Sequence, residues 1–220
     1  MKISVVVFTL NEIDGMKAIM PRMKKEWYDE LIIIDGGSSD GTIEYAKEHG
    51  YPIFIQRERG AGAAFKEALE RATGDIFIPF SPDGNFIPEK IPQLIEKIKE
   101  GYEIVTVSRY LEGVKSYDDD LVTAFGNFMF TGLINLLFKT RFTDTLYGYF
   151  AFRTSLAKDL NIDKTSSWGP QLLIEASKRK IKVGEIPGDE PARIGGERKM
   201  KPLINGLSLL RMIIKEYLIQ

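Results

Sequence analysis

Cysteine is absent from this sequence and histidine occurs once, at His49. Without thiols there is neither a disulfide framework nor a thiolate metal centre, and a lone imidazole excludes a histidine-rich one. His49 precedes Gly50 and reads as part of a helix end. An excess of charge is also lacking. Thirty Lys+Arg face 31 Asp+Glu, a formal charge of -1, so neither nucleic acid nor acidic lipid is attracted in bulk and any phosphate ligand must be held locally. No stretch has the composition of an interdomain linker. The opening MKISVVVF runs straight into a strand pattern, without the apolar core and small-residue cleavage site of a signal peptide. A cytoplasmic or cytosol-facing protein is expected.

What is present is a chain of 220 residues with 44% apolar content, enough for one large core. A single domain over 1–220 is expected, organised around Leu31 to Thr42, LIIIDGGSSDGT. Four aliphatics ending at Asp35 fit a strand covered on both faces, and Gly36 and Gly37 then allow a sharp turn into a helix. Asp35 therefore sits at the carboxyl end of a strand, where open α/β sheets bind ligands and a carboxylate can accept hydrogen bonds from a ribose or a base. A polar turn between strand and helix accounts for the same residues.

The pattern repeats along the first half. Ile3 to Phe8 is a short buried strand opening onto Thr9-Leu10-Asn11-Glu12, and a helix is predicted from about Gly15 to Glu26, bent at Pro21. Ile53 to Gln56 is another strand, followed by RERGAGAAF. There Gly60 and Gly62 permit close backbone approach ahead of a helix, and Arg57 and Arg59 flank them, an arrangement that suits a diphosphate. Helix packing alone would also explain the glycines. Asp75 to Phe80 is a strand ending at Ser81-Pro82-Asp83-Gly84-Asn85, where Asp83 and Asn85 could give two oxygen ligands to Mg²⁺ or Mn²⁺. An Asp-Gly turn is the plain alternative. Pro88 to Glu100 has helical spacing, with Ile91, Leu94, Ile95 and Ile98 on one face, and Ile104 to Val107 delivers Ser108-Arg109-Tyr110 to the same edge. Alternating strands and helices imply a mostly parallel sheet with helices on both faces.

Beyond Arg109 the pattern changes. Leu121 to Phe138 is eighteen residues without a charge, at the lower limit for a membrane span. Thr123, Asn127, Thr131 and Asn135 recur every four residues, however, and put one polar stripe on the helix. A helix at a membrane interface or packed on the domain fits that stripe better than a span. Phe142 to Arg153 ends in an aromatic strand containing Gly148, Trp168 to Arg179 is a helix, and Lys182 to Ile186 is a short strand. ARIGGERKM, Ala192 to Met200, interleaves Arg193, Arg198 and Lys199 with glycines, as a loop closing over phosphate would, and a solvated surface loop accounts for the same charges. The chain ends in a helix from Leu203 to Ile219, with Leu207, Leu210, Ile214 and Leu218 on one side.

These stretches resemble the family-2 glycosyltransferases of GT-A fold, and within them the dolichyl- and polyprenyl-phosphate sugar synthases. The likeness rests on TLNE at Thr9 to Glu12, DGGSSDGT at Asp35 to Thr42, GAGAA at Gly60 to Ala64, SPDGN at Ser81 to Asn85, SRY at Ser108 to Tyr110, DTLYGYFAFR at Asp144 to Arg153 and RIGGERKM at Arg193 to Met200. The resemblance implies a Rossmann-like α/β fold with a nucleotide-sugar half, 1–110, and an acceptor half, 111–220. It puts nucleoside contacts on Thr9, Glu12 and Asp35 and metal and diphosphate contacts on Asp83 and Asn85. It puts the acceptor side on Arg109, Arg193 and Lys199, with Asp144 among the catalytic positions. Similar enzymes move a sugar with inversion from a UDP- or GDP-sugar to a lipid phosphate, as peripheral proteins of the cytoplasmic membrane face, using a divalent cation. Three positions depart from the family pattern: Ser81 replaces an acid, Gly148-Tyr149-Phe150 replaces GFR, and Gln171-Leu172-Leu173 replaces ELL. Two other readings are a non-catalytic nucleotide-sugar-binding protein and a sugar-1-phosphate nucleotidyltransferase. The second is disfavoured because TLNE, not a glycine-rich triphosphate loop, follows Phe8.

Overall fold

The structure, a computed structural model, describes residues 1–111, 113–118, 121–159, 167–195 and 202–219. Seven strands form one sheet: β1 (Ile3–Thr9), β2 (Glu30–Asp35), β3 (Ile53–Ile55), β4 (Ile76–Phe80), β5 (Ile104–Ser108), β6 (Phe150–Arg153) and β7 (Val183–Pro187), in the order β3-β2-β1-β4-β6-β5-β7. The sheet is mostly parallel, and β6 is wedged antiparallel between β4 and β5. Because β6 and β7 complete a sheet begun by β1 to β5, the halves 1–110 and 111–220 share one core.

Strand alternation decides what each face buries. Val5 and Val7 join Met16 and Ile19 of α1 (Ile13–Ile19), Ala46 of α2 (Thr42–Glu48) and Ile91, Leu94, Ile95 and Ile98 of α4 (Ile91–Lys99). Val6 points the other way, among Phe65 and Ala68 of α3 (Ala61–Arg71), Ala157 of α6 (Thr154–Asp159) and Leu172, Leu173 and Ala176 of α7 (Trp168–Lys178). The uninterrupted apolar runs are thus strands covered on both faces.

A third cluster joins α7 to α5 (Leu121–Phe138) and α8 (Pro202–Leu218) through Phe130, Ile134, Phe138, Ile174, Leu209, Met212 and Ile213. The two outer helices run in the same direction, since Gly206 lies against Phe130 and Tyr217 against Phe138. The stripe on α5 faces inward. Thr131 Oγ1 lies 2.8 Å from Thr145 Oγ1, and the Asn135 amide both donates to Phe142 O and accepts from Phe142 N. Among the described residues α5 is the helix long and apolar enough to cross a membrane by length and composition. Its outer face leaves Leu121, Val122, Phe125, Phe128 and Leu136 exposed.

Three expectations are corrected. The helix expected over 15–26 ends at Ile19 and gives way to two 3₁₀ turns, Met20–Arg22 and Lys25–Trp27, because Pro21 cannot supply the amide that continuation needs. Gly148 has φ +80° and lies outside β6, which begins at Phe150. On α8 the expected apolar face is largely open, with Leu207, Ile214 and Leu218 exposed, while Leu209, Met212 and Ile213 are buried. The helix has more apolar residues than one face can hold, so periodicity alone did not choose the buried one.

The two faces of α5 predict opposite responses. Ile134→Ala should lower stability by about 2–5 kcal/mol, whereas Phe128→Ser should change it by no more than about 0.5 kcal/mol, both read from denaturant unfolding.

Candidate active site

Two clefts meet at the carboxyl edge of the sheet. The smaller, about 370 Å³, is lined by Thr9, Gly36, Gln56, Gly60 and Trp168, among others. The larger, about 510 Å³, runs past Asp83, Asn85, Arg109, Glu190 and Arg193 into a groove where Gly126, Asn127 and Phe130 of α5 face Asn205, Gly206 and Leu209 of α8. Glu12, Ser81, Phe86 and Tyr147 line both.

The turn after β4 forms the junction. Asp83 Oδ1 accepts from Asn85 N at 3.1 Å, and Gly84 adopts φ +97°. A Cβ on Gly84 would come within 2.7 Å of Ile194, so the glycine answers both to the backbone conformation and to the segment packed on it. That segment, residues 191–195, is stitched to the turn. Ile194 N donates to Asp83 O at 2.7 Å, Asn85 Nδ2 donates to Pro191 O at 2.9 Å, and Arg193 Nη2 donates to Asp83 Oδ2 at 2.7 Å. Arg193 Nη1 stands 3.7 Å from Glu12 Oε1.

Arg109 was expected to hold an acceptor phosphate, and the structure commits it elsewhere. Its Nε donates to Asp144 Oδ2 at 2.7 Å, Nη2 to Asp144 Oδ1 at 3.2 Å and Nη1 to Glu190 Oε2 at 3.1 Å, with all three residues buried. A guanidinium neutralising two buried carboxylates cannot leave them without stranding charge. Asp144 is likewise the partner of Arg109 and of the Leu146 and Tyr147 amides, and it lines neither cleft. Tyr147 lies 4.8 Å under the Arg109 guanidinium and donates to Asn85 O at 2.6 Å. Burial pushes its phenol pKa far up, so it acts as a neutral donor.

Asp35 is also turned inward. It is 0% exposed, and its carboxylate accepts from Gly37 N, Ser38 N, the Ser38 hydroxyl and the Thr9 hydroxyl, so it shapes the turn and lines neither cleft. Thr9, Glu12 and Gly60 line the smaller cleft, Gly60 at the N-terminus of α3. Gly62 is buried within α3, Arg59 is exposed and borders neither cleft, and Arg57 pairs with Glu67 and Glu70 on the outside of α3. Arg198 and Lys199 lie outside the described residues. Gln56, Asn127, Tyr147, Trp168 and Glu190 were missed as lining residues. Of these, Tyr147 alone sat in a recognisable motif, and the others are gathered by tertiary packing.

The geometry has known counterparts. A family model described as Glycosyl transferase family 2 matches residues 4–160. The chain belongs to that family. As a family-2 glycosyltransferase it is 31% identical over 215 residues to the dolichol-phosphate mannosyltransferase of Pyrococcus furiosus, covering 91% of this chain and 60% of that one. It thus spans 60% of that relative's length. It is 25% identical to the dolichyl-phosphate hexose transferase of Haloferax volcanii, covering 97% of this chain and 92% of that one. Among solved structures, glucosyl-3-phosphoglycerate synthase from Mycobacterium tuberculosis in complex with Mn²⁺, UDP-glucose and phosphoglyceric acid superposes with a TM-score of 0.74 at 22% identity, covering 98% of this chain and 79% of that one. That likeness fixes the GT-A fold of this glycosyltransferase.

No group of three or more acidic or histidine side chains that could hold a metal occurs among the described residues. Asp83 and Asn85 nevertheless fit a hard cation of the Mg²⁺ or Mn²⁺ kind, which is satisfied by one or two protein oxygens when phosphate oxygens and water complete its shell. A cation caged by protein alone does not fit.

Two outcomes follow. Arg109→Ala should destabilise the fold by about 3–5 kcal/mol, because two buried carboxylates lose their counter-charge, as measured by denaturant unfolding. Glu185, which accepts from Thr143 N, the Thr143 hydroxyl and Asp144 N, has its pKa raised, by burial first. A raised carboxylate contributes stability that is fully present below its ordinary value of 4.5 and is lost as pH rises through the folded value. Melting curves between about pH 4 and pH 7 should therefore lose that descending limb in Glu185→Gln.

Proposed function

We propose that this glycosyltransferase moves a sugar, with inversion, from a UDP- or GDP-sugar to a polyprenyl phosphate at the cytoplasmic face of a membrane. The observation that carries the reading is the union of the two clefts at Glu12, Ser81, Phe86 and Tyr147, beside Asp83 in the larger one. One is sized for a nucleoside and the other opens into a groove between α5 and α8, helices whose outer faces are apolar. The names of the Pyrococcus and Haloferax relatives support a lipid phosphate acceptor, and the mycobacterial complex supports a UDP-sugar donor with a divalent cation.

In this reading the base and ribose enter among Thr9, Gly36 and Gln56, with Trp168 as an apolar wall, and the diphosphate reaches the turn of Asp83 and Asn85. A divalent cation held there by Asp83 and Asn85 would neutralise charge on the departing diphosphate. The acceptor phosphate enters from the α5–α8 groove, past Asn127, and attacks the anomeric carbon on the face opposite the diphosphate. That attack inverts the centre. The acceptor is already an anion, so the chain need not supply a strong general base, and its task is to align two anions and exclude water. The exposed Phe125, Phe128, Leu207 and Leu218 would rest in the headgroup region and bring the groove to the lipid.

The test is turnover of UDP-glucose, UDP-N-acetylglucosamine and GDP-mannose with polyprenyl phosphate in vesicles, with the anomeric configuration of the product read by NMR. Formation of an inverted sugar-phosphate lipid from one donor is expected, and failure of all donors despite nucleotide binding would return the protein to a binding role. Asp83→Asn should reduce turnover at least a hundredfold, on the order of a lost transition-state contact, with little change in melting temperature. Full activity in excess EDTA would remove the metal.

A further inference from the structure

We propose that Arg193 is the resident counter-ion of Asp83, holding that carboxylate against a metal until a donor diphosphate draws the guanidinium away. The inference rests on the reading of Asp83 as a metal ligand and adds what the residue does before donor arrives. It also moves Arg193 from the acceptor side, where sequence placed it, to the donor side.

Both oxygens of Asp83 are engaged, Oδ1 by Asn85 N and Oδ2 by Arg193 Nη2 at 2.7 Å. A divalent cation approaching Asp83 therefore competes with a guanidinium already in van der Waals reach of the same oxygen. The other expected ligand is held by the same segment, because the Asn85 amide donates to Pro191 O. Ile194, next in the chain, donates to Asp83 O and packs on Gly84. Residues 191–194 thus cover the turn as one unit, and Arg193 is its charged contact.

Arg193 is also incompletely satisfied. Its Nε is buried and has no hydrogen-bond partner among the described residues, while its other contact, Glu12 Oε1, stands at 3.7 Å. A diphosphate in the cleft offers what Asp83 alone does not, a doubly charged group that the planar fork can grip in two places. Transfer of Arg193 to the diphosphate would leave Asp83 Oδ2 free to hold a cation, which would supply counter-charge to the phosphate. Each ligand removes an obstacle to the other, so diphosphate and metal are coupled through this side chain as well as by direct chelation.

Mn²⁺ binding, followed by electron paramagnetic resonance and calorimetry, separates the two contributions. Arg193→Gln should bind Mn²⁺ alone roughly tenfold more tightly than the wild type, and addition of UDP or GDP should enhance Mn²⁺ binding less in the variant. Arg193→Lys, which keeps a cation near Asp83, should resemble the wild type for Mn²⁺ alone and provides the comparison should the glutamine variant fold poorly. Equal Mn²⁺ affinity in wild type and Arg193→Gln, without nucleotide, overturns the competition while leaving the metal reading intact. No Mn²⁺ binding by either protein, even with UDP or GDP, overturns the metal reading and this inference with it.

Discussion

One guanidinium carries much of the architecture around the clefts. Arg109 leaves the end of β5 and joins Asp144, from the loop before β6, to Glu190, from the segment after β7. Three parts of the chain far apart in sequence are tied by buried charge, and buried charge tolerates few geometries. Asp144 in turn fixes the Leu146 and Tyr147 amides, and Tyr147 reaches the turn of Asp83 through its hydroxyl. The wall of the larger cleft and the turn of Asp83 are therefore set by the same ion pair. An arginine used in this way is a scaffold for the site, whereas Arg193 is only partly buried and has Asp83 as its close ion-pair partner among the described residues.

The strands and their order of appearance were legible because a parallel sheet covered on both faces writes itself as short apolar runs, such as Val5 to Val7 and Leu31 to Ile34. The rim was legible for a related reason: turn residues follow each strand, and Thr9, Ser81, Asp83 and Arg109 all stand at that edge. What sequence could not supply was the direction in which a side chain faces once it arrives. Asp35 and Arg109 both occupy strand ends, yet one caps its own turn and the other is consumed by Asp144 and Glu190. Those outcomes depend on partners 3, 35 and 81 residues away. Only the nearest could have been read from local pattern.

The same division explains the helices. Pro21 ended a helix whose periodicity ran on, a local rule overriding a pattern. On α8 the reverse happened: the pattern offered several apolar faces, and packing against Ile174 and Ile134 selected Leu209, Met212 and Ile213. Gln171 shows how a family departure can be absorbed. Its amide donates to Glu216 of α8 at 2.9 Å, and Lys178 pairs with the same carboxylate, so the residue in place of the family's acid anchors the outer helix.

The polar stripe of α5 joins these threads. Thr131 and Asn135 spend their hydrogen bonds on the loop from Thr140 to Thr145, which carries Asp144, whereas Asn127 and Thr123, one and two turns earlier, line the larger cleft. Asn127 is buried, with an Oδ1 that has no partner among the described residues. An unpaired buried acceptor is unfavourable by roughly 1–3 kcal/mol unless something enters to satisfy it. A helix that merely crossed lipid would gain nothing from such a residue, and one that merely packed on the domain would replace it with an apolar side chain. The stripe is best understood as a single row with two tasks, fastening α5 to the loop behind the Arg109 ion pair and presenting polar groups to whatever occupies the groove, while the opposite face of the same helix stays apolar.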